Sequence, residues 1–140
     1  MIEKGYPVGS FKFKVEINDI ELYGGFSEVS GIEAEIELEE YREGGTNYTH
    51  HFPKFIKHPR LTLKKGIVES GELLNWYKSV LSGKILKQKI SVVLCNSLGK
   101  DISRWDFMDA YPVKWSGPEL KADSNMVAVE SIEFVHKGMK

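Results

Sequence analysis

Hydrophobic and polar residues alternate along most of this chain, which is the pattern of half-buried β-strands. The first such segment carries lysine and glutamate on one face and an apolar set on the other: Phe11, Phe13, Val15 and Ile17. It ends at Asn18-Asp19, a pair that favours a tight turn, and residues 20–23 then predict a short returning strand. The chain is therefore predicted to begin with a β-hairpin.

The clearest alternation runs over residues 32–39 and spans about 26 Å at ~3.3 Å per residue. Its apolar side chains share one face, which we expect to be buried: Ile32, Ala34, Ile36 and Leu38. Its carboxylates share the opposite face and form what we call the glutamate comb: Glu33, Glu35, Glu37 and Glu39. Like charges in a row repel one another, so we expect Lys12 and Lys14 of the first strand to lie beside the comb.

A polar stretch with little periodicity follows Gly44-Gly45, so residues 42–58 are predicted to be a long loop. Loops of this length in a small domain are usually functional or mobile. This one carries side chains that are unusually apolar for a free loop: Tyr48, Phe52, Phe55 and Ile56. Leaving such side chains in water costs about 1–2 kcal/mol each, which predicts that the loop contacts another molecule.

One helix is predicted over residues 71–82, with Ser70 as its N-cap and Gly83 after its last turn. An apolar stripe is expected to pack against the sheet: Leu73, Tyr77, Val80 and Leu81. The opposite side is polar and includes Asn75, Lys78 and Ser82. A stripe of this width covers only one side of the helix, so the polar side is predicted to remain accessible.

Further strands are predicted at residues 61–63, 89–96, 104–115 and 126–137. Pro112 indicates an edge or a bulge, and a change in parity near Ser131 indicates another bulge. Residues 1–140 are thus predicted to form a single, mainly β domain, an antiparallel barrel or sandwich of about six to seven strands with one flanking helix. Residues 1–8 are predicted to be an N-terminal extension.

Composition and charge exclude several classes of protein. The 140 residues are 41% hydrophobic and 28% charged with a net charge of −1, so the basic excess of a general nucleic-acid binder is missing. The first residues lack the apolar run of a signal peptide, and no stretch reaches the roughly 20 apolar residues of a membrane span. We therefore expect a chain that is made in the cytoplasm, is soluble there and does not itself bind membranes.

No catalytic, cofactor or metal site is predicted. Cys95 lies in an apolar run and is expected to be a buried, inert thiol. His50, His51 and His58 lie in the predicted loop without a third or fourth metal ligand at a suitable spacing. The glutamate comb offers equivalent carboxylates on one wet face, whereas acid–base catalysis needs two carboxylates in different environments.

The order of short motifs along the chain carries a family resemblance. They are Tyr6-Pro7, residues 11–15, 26–32, 40–45 and 61–66, Leu74 with Trp76, and residues 90–96, 105–107, 110–115, 120–122 and 125–130. In this order and spacing the chain resembles the tail-tube proteins of contractile phages and of extracellular contractile injection systems, from about residue 6 to residue 136. No single motif is specific, and the resemblance depends on their succession.

The resemblance implies a barrel subunit that assembles into hexameric rings, which stack into a hollow tube inside a contractile sheath. The type VI secretion tube protein shares that architecture. Partners implied are further copies of the chain, the sheath protein, the baseplate hub and tube-initiator proteins, with DNA or an effector protein as cargo. If each of six subunits gave four strands, the joint barrel would be about 48 Å across at its backbone, with a lumen of roughly 35–40 Å.

In such a tube, particular residues are expected to carry the contacts. The comb residues Glu33, Glu35, Glu37 and Glu39 are the candidates for lining the lumen. Candidates for ring stacking come from the predicted loop: Arg42, Glu43, Tyr48, Phe52, Phe55 and Ile56. Candidates for facing the sheath come from the polar side of the helix: Asn75, Lys78 and Ser82.

Two other functions remain open from the sequence. The chain could be a tube-initiator ring, a paralogue that joins the baseplate hub to the tube, since residues 41–45 suit either protein. It could also be a small-ligand-binding split barrel, which predicts a monomer or dimer with a bound flavin or lipid.

Overall fold

The computed structural model describes residues 11–22, 26–42, 44–45, 48–66, 71–118 and 129–140. The predicted N-terminal extension and the proposed cap Ser70 lie outside these residues. The described elements are β1 (Lys12–Ile17), β2 (Ile20–Leu22), β3 (Phe26–Ser30), β4 (Glu35–Arg42), β5 (Thr49–Lys57), β6 (Leu61–Gly66), α1 (Glu72–Leu81), β7 (Gln88–Cys95), β8 (Asp101–Ser116) and β9 (Val129–Val135).

Seven of the strands form one antiparallel sheet in the order β2-β1-β7-β8-β9-β6-β3. Strand β3 at one end approaches β1 near the other end, so the sheet curls towards a barrel. Strands β4 and β5 pair only with each other, as a separate antiparallel hairpin. The predicted mainly β architecture with one flanking helix is confirmed.

The described residues contain nine strands rather than the predicted six to seven. The sequence prediction missed β3, where a bulge between Phe26 and Glu28 interrupts the alternation. It also missed β5, which occupies most of the predicted loop. Both strands lack the regular apolar alternation on which the prediction relied.

The predicted first hairpin is confirmed and joins β1 to β2. Asn18 and Asp19 both adopt positive φ angles, 50° and 68°. Two left-handed residues give the turn a twist that matches the twist of its strands. Val15 is fully buried on the inner face of β1, so the predicted orientation of this strand holds.

The core lies between the curved sheet and the helix. Its buried members are Val15, Leu61, Leu63, Leu73, Trp76, Ile90, Val92, Phe107, Ala110, Ile132 and Phe134. Phe107, Phe134 and Leu61 are completely inaccessible to solvent. Side chains therefore fill the interior of the sheet, in the way that small barrels are filled.

Helix α1 covers one side of this core with Leu73 and Trp76, and the Trp76 indole Nε1 donates a hydrogen bond to the Leu86 carbonyl at 2.8 Å. The helix begins after Gly71, whose φ of 54° is left-handed, and no side chain of the described residues caps it. Gly83 follows the end as predicted, with φ 92°. Leu81 is exposed, so its predicted place in the buried stripe is wrong. Trp76, which the predicted stripe did not include, is buried.

Strands β8 and β9 test the two predicted bulges. The β8–β9 register shifts from Pro112 to Lys114, so the bulge predicted at Pro112 is confirmed. Strand β9 keeps an unbroken register with β6 on both sides of Ser131, so the bulge predicted there is wrong. The parity of the sequence changes because a charged residue, Glu130, takes an inward-facing position in β9.

Glu130 is buried because it has a buried partner. Its carboxylate lies 3.7 Å from the Lys65 ammonium on the paired strand β6. It also accepts a hydrogen bond of 2.7 Å from the Trp115 indole, and the Lys65 ammonium lies 5.8 Å from the centre of the Phe26 ring. The ion pair and its ring contacts occupy the part of the barrel interior near the end of β6.

Candidate assembly surfaces

The β4–β5 hairpin is the structural feature that the rest of the fold does not explain. It pairs with no other strand among the described residues, and none of its side chains belongs to the core cluster. A two-stranded ribbon is marginally stable by itself in water, because it buries too little apolar surface. The hairpin is therefore a candidate surface for contact with another molecule.

One face of the hairpin is aliphatic. Its register pairs Ile36 with Ile56 and Leu38 with Pro53. The side chains of Ile36 and Leu38 remain 55% and 48% exposed, so the prediction that this face is buried is wrong for the chain by itself. Ile32, just before the strand, does pack against the core. We call Ile36, Leu38, Pro53 and Ile56 the aliphatic face.

The opposite face combines carboxylates with aromatic rings. Here Glu35, Glu37 and Glu39 lie opposite Lys57, Phe55 and Phe52, respectively. The fourth comb residue, Glu33, precedes the strand. Towards the turn, the rings of Tyr41 and Phe52 lie 6.3 Å apart, those of Tyr41 and His50 5.8 Å apart, and those of Tyr48 and His50 6.1 Å apart.

The prediction of a loop over residues 42–58 is therefore wrong for residues 49–57, which form strand β5. The strand escaped prediction because both of its faces are wet and because the register slips between Glu37 and Leu38, which leaves Lys54 as an extra residue in β5. A usable signal was present, since Gly44-Gly45 separates a clear strand from a segment rich in aromatic and β-branched residues.

The ring-stacking candidates fall on this hairpin. Tyr48, Phe52, Phe55 and Ile56 are each more than half exposed, and Arg42 is the exposed last residue of β4. Glu43 lies outside the described residues. The structure therefore brings the described candidates together on one projecting element, as strand residues rather than loop residues.

The cations expected beside the comb are elsewhere. The Lys14 ammonium lies 3.6 Å from Asp101 and 3.9 Å from Glu21, on the outer face of the β2-β1-β7-β8 sheet. The expected pairing of Lys12 and Lys14 with the comb is wrong because β1 pairs with β2 and β7 rather than with β4. Within the described residues, Lys57 is the only cation that lies opposite a comb residue.

The outer face of that sheet carries a dense network of charges instead. The Arg104 guanidinium contacts Glu16 at 3.0 Å, Asp19 at 2.9 Å and Asp106 at 3.0 Å. Asp106 also accepts a hydrogen bond of 2.6 Å from Ser91. The Ser91 hydroxyl and then Arg104 lower the pKa of the Asp106 carboxyl. The single Arg104 cation thus bridges three carboxylates on this face.

Two histidines meet where the hairpin leaves the body. His58 directly follows β5, and its ring centre lies 5.2 Å from that of His136, which follows β9. Burial and the neighbouring His58 ring lower the pKa of His136. His58 was predicted to be a solvated loop residue, and its half-buried position corrects that prediction.

Other candidate residues lie where the sequence placed them. Asn75, Lys78 and Ser82 are exposed along α1 and at its end. Cys95 is buried, as predicted, and burial raises the pKa of its thiol. Among the described residues, no helix is long and apolar enough to cross a membrane.

Comparison with solved structures supports this reading of the fold. A chain of the sheath–tube complex of PVC, an extracellular contractile injection system, is 28% identical, with a TM-score of 0.85 over 99% of this chain and 92% of that chain. A chain of the tube-terminating cap of the anti-feeding prophage is 25% identical, with a TM-score of 0.86 over 100% of this chain and 93% of that chain.

A more distant structure shares the fold. Hcp1 from Flavobacterium johnsoniae is 14% identical, with a TM-score of 0.58 over 91% of this chain and 93% of that chain. No curated protein sequence matches the chain. The family model of the T4-like virus tail tube protein gp19 matches residues 9–140, and the chain therefore belongs to that tail tube family.

Proposed function

We propose that this chain is the repeating structural subunit of the inner tube of a contractile phage tail or contractile injection system. Copies form hexameric rings, and the rings stack into a hollow conduit. The observation that carries the proposal is the β4–β5 hairpin, which leaves both faces exposed in a single chain that belongs to the tail tube family. A partner surface would supply the burial that the hairpin lacks within the chain.

The hairpin is proposed to make the contacts between subunits and between rings. The residues assigned to them are Arg42, Glu43, Tyr48, Phe52, Phe55 and Ile56. Each exposed aromatic or aliphatic side chain that becomes buried contributes about 1–2 kcal/mol. Because six subunits repeat the same contacts, two stacked rings would bind each other strongly even if the contact made by one hairpin is weak.

The glutamate comb is proposed to line the lumen. Three of its members share one face of β4 by register, and the row is acidic. Phe52 and Phe55 share this face, and the proposed ring contacts would cover them. The charged wall that remains offers cargo no apolar surface to adhere to, and it repels DNA phosphates. The proposed cargo, DNA or an effector protein, would therefore slide along the comb without binding tightly.

The polar side of α1 is proposed to face the contractile sheath. Asn75, Lys78 and Ser82 are accessible there, and a related chain was solved in a sheath–tube complex. Further partners proposed are the baseplate hub and a tube-initiator ring. The chain would be synthesised in the cytoplasm and end in a virion or an extracellular particle.

A position at the end of a tube is the second candidate. A chain of a PVC sheath/tube terminator is 27% identical, with a TM-score of 0.85, which is nearly the similarity found for the sheath–tube complex. The ligand-binding barrel is disfavoured, because side chains such as Phe107 and Phe134 fill the barrel interior.

Native mass spectrometry of the purified chain tests the proposal. A ring has six times the 15.9 kDa mass of the chain, about 95 kDa. We expect this species and its multiples, either from the chain by itself or after baseplate components are added. A spectrum of monomers only under both conditions contradicts the proposal, and a coloured or lipid-bearing monomer indicates the ligand-binding barrel.

A further inference from the structure

An apolar groove lies between the first hairpin and the start of the helix. Its apolar wall consists of Ile17, Ile20, Leu22, Leu73 and Trp76, and its cavity is about 340 Å³. Ile20 is 71% exposed at its mouth. Leu73 and Trp76 are buried in the core, so the accessible apolar surface of the groove comes mainly from Ile20.

The segment after the helix lies beside this groove. Trp76 in the wall is hydrogen-bonded to the Leu86 carbonyl, and Leu86 and Ile85 both expose more than half of their side chains. Lys84 and Lys87 flank them in the sequence and are exposed, and Glu72 lines the groove. None of these three charged residues forms an ion pair with another described residue.

The aliphatic face of the hairpin has the complementary chemistry. Ile36, Leu38, Pro53 and Ile56 are followed on the same face, towards the turn, by Glu40 and then Arg42. Neither Glu40 nor Arg42 forms an ion pair with another described residue. His51 lies opposite Glu40 on this face. Charges of both signs therefore accompany the apolar strip, as they accompany the groove.

We propose that the aliphatic face of the hairpin of one copy packs into the groove of a second copy, with Glu40 towards Lys84 and Lys87 and Arg42 towards Glu72. The inference rests on the proposed tube function and names its subunit contact. Ile20 at the mouth of the groove is exposed within one chain, and so are Ile36, Leu38 and Ile56 on the hairpin, so the hairpin does not cover its own groove. The glutamate comb lies on the opposite face of β4 and remains wet.

Site-specific cross-linking of assembled protein tests the contact. The variant Ile20→Cys/Leu38→Cys places thiols at two exposed positions, one in the groove and one on the aliphatic face. A short bismaleimide is expected to give a ladder of covalent multimers. Ile20→Cys/Glu39→Cys is the matched control, because Glu39 is adjacent but faces the other way, and it should give no ladder. The wild-type chain, whose only thiol is buried at Cys95, gives the background.

Electron microscopy of the same samples separates the possible failures. Rings or tubes of the Ile20→Cys/Leu38→Cys variant that give no ladder overturn the groove assignment and leave the proposed function standing. Equal ladders from both double variants also overturn it, because the contact then lacks a preferred face. Monomers in every sample, with baseplate components added, overturn the groove assignment and the proposed function together.

Charge reversal provides a second measurement. Lys84→Glu/Lys87→Glu is expected to abolish assembly, and Glu40→Lys added to that variant is expected to restore part of it, because each chain then carries both reversed partners. Lys100→Glu, in an exposed turn, is the matched control and should assemble like the wild type. Assembly of the double reversal at the wild-type level, or no rescue by Glu40→Lys, overturns the assignment.

Discussion

At the scale of single residues, the buried pair Lys65–Glu130 is the least expected feature of the core. Its side chains are only 4% and 9% exposed. Removing one partner of such a pair leaves an uncompensated charge in the interior, which typically costs about 3–5 kcal/mol. We predict a loss of this size in the free energy of unfolding of Glu130→Ala, measured by urea denaturation.

A surface pair beside the same strands gives the comparison, with Arg60 just before β6 and Glu133 in β9. Arg60 is 3.3 Å from Glu133, and its side chain is 54% exposed, so Arg60→Ala should cost no more than about 1 kcal/mol. The double variant Lys65→Met/Glu130→Leu removes both charges and should recover much of the stability lost in Glu130→Ala. Equal losses in Glu130→Ala and Arg60→Ala would show that the buried pair does not stabilise the core as described.

The histidine pair predicts how stability depends on pH. The pKa of His136 is lowered from 6.5 by burial and by the His58 ring, while the Pro59 carbonyl opposes the shift. As the pH falls, His136 is therefore protonated in the unfolded chain before it is protonated in the folded chain. The contribution of His136 to the free energy of unfolding is complete above about pH 6.5 and decreases below it. His136→Gln should flatten this decrease in urea titrations, whereas exposed His51→Gln should not. Parallel pH profiles for all three proteins would contradict the prediction.

At the scale of secondary structure elements, the hairpin is predicted to serve assembly rather than folding. Glu35 and Lys57 are cross-strand partners, so an Asn-Gly turn that replaces residues 35–57 closes the chain with little strain. No described residue of this segment belongs to the core, and the shortened chain should keep its near-ultraviolet circular dichroism. It should also sediment as a monomer. Rings or tubes built by the shortened chain would show that the hairpin is not needed for assembly.

How much of each element the sequence predicts depends on where its side chains lie. Strand β1 and helix α1 bury one side each, and the periods of two and 3.6 therefore reveal them. Strand β5 buries neither face in its own chain and contains a bulge, so no period marks it. The apolar strip of β4 was predicted to be buried, and it is exposed because a single chain does not provide its partner. Long-range pairings such as Lys65 with Glu130 follow from strand order, which the sequence pattern does not specify.

At the scale of the whole molecule, the proposed lumenal position of the glutamate comb would make the tube wall acidic. Replacing Glu33, Glu35, Glu37 and Glu39 with lysine reverses the sign of a lumenal wall without altering the core. Tubes of this variant are expected at lower yield, with anionic stain or nucleic acid retained inside. Normal tubes with an unchanged lumen, combined with failure to recruit sheath, would place the comb on the outside.

The central claim is that copies of this chain build a hollow tube through the hairpin. Cryo-electron microscopy of the assembled protein, with helical reconstruction, tests it most directly. The account predicts six subunits per ring, an open lumen, and density for residues 35–57 packed against a neighbouring copy. A closed or solid assembly, or tubes in which the hairpin projects into solvent with both faces uncovered, would contradict it.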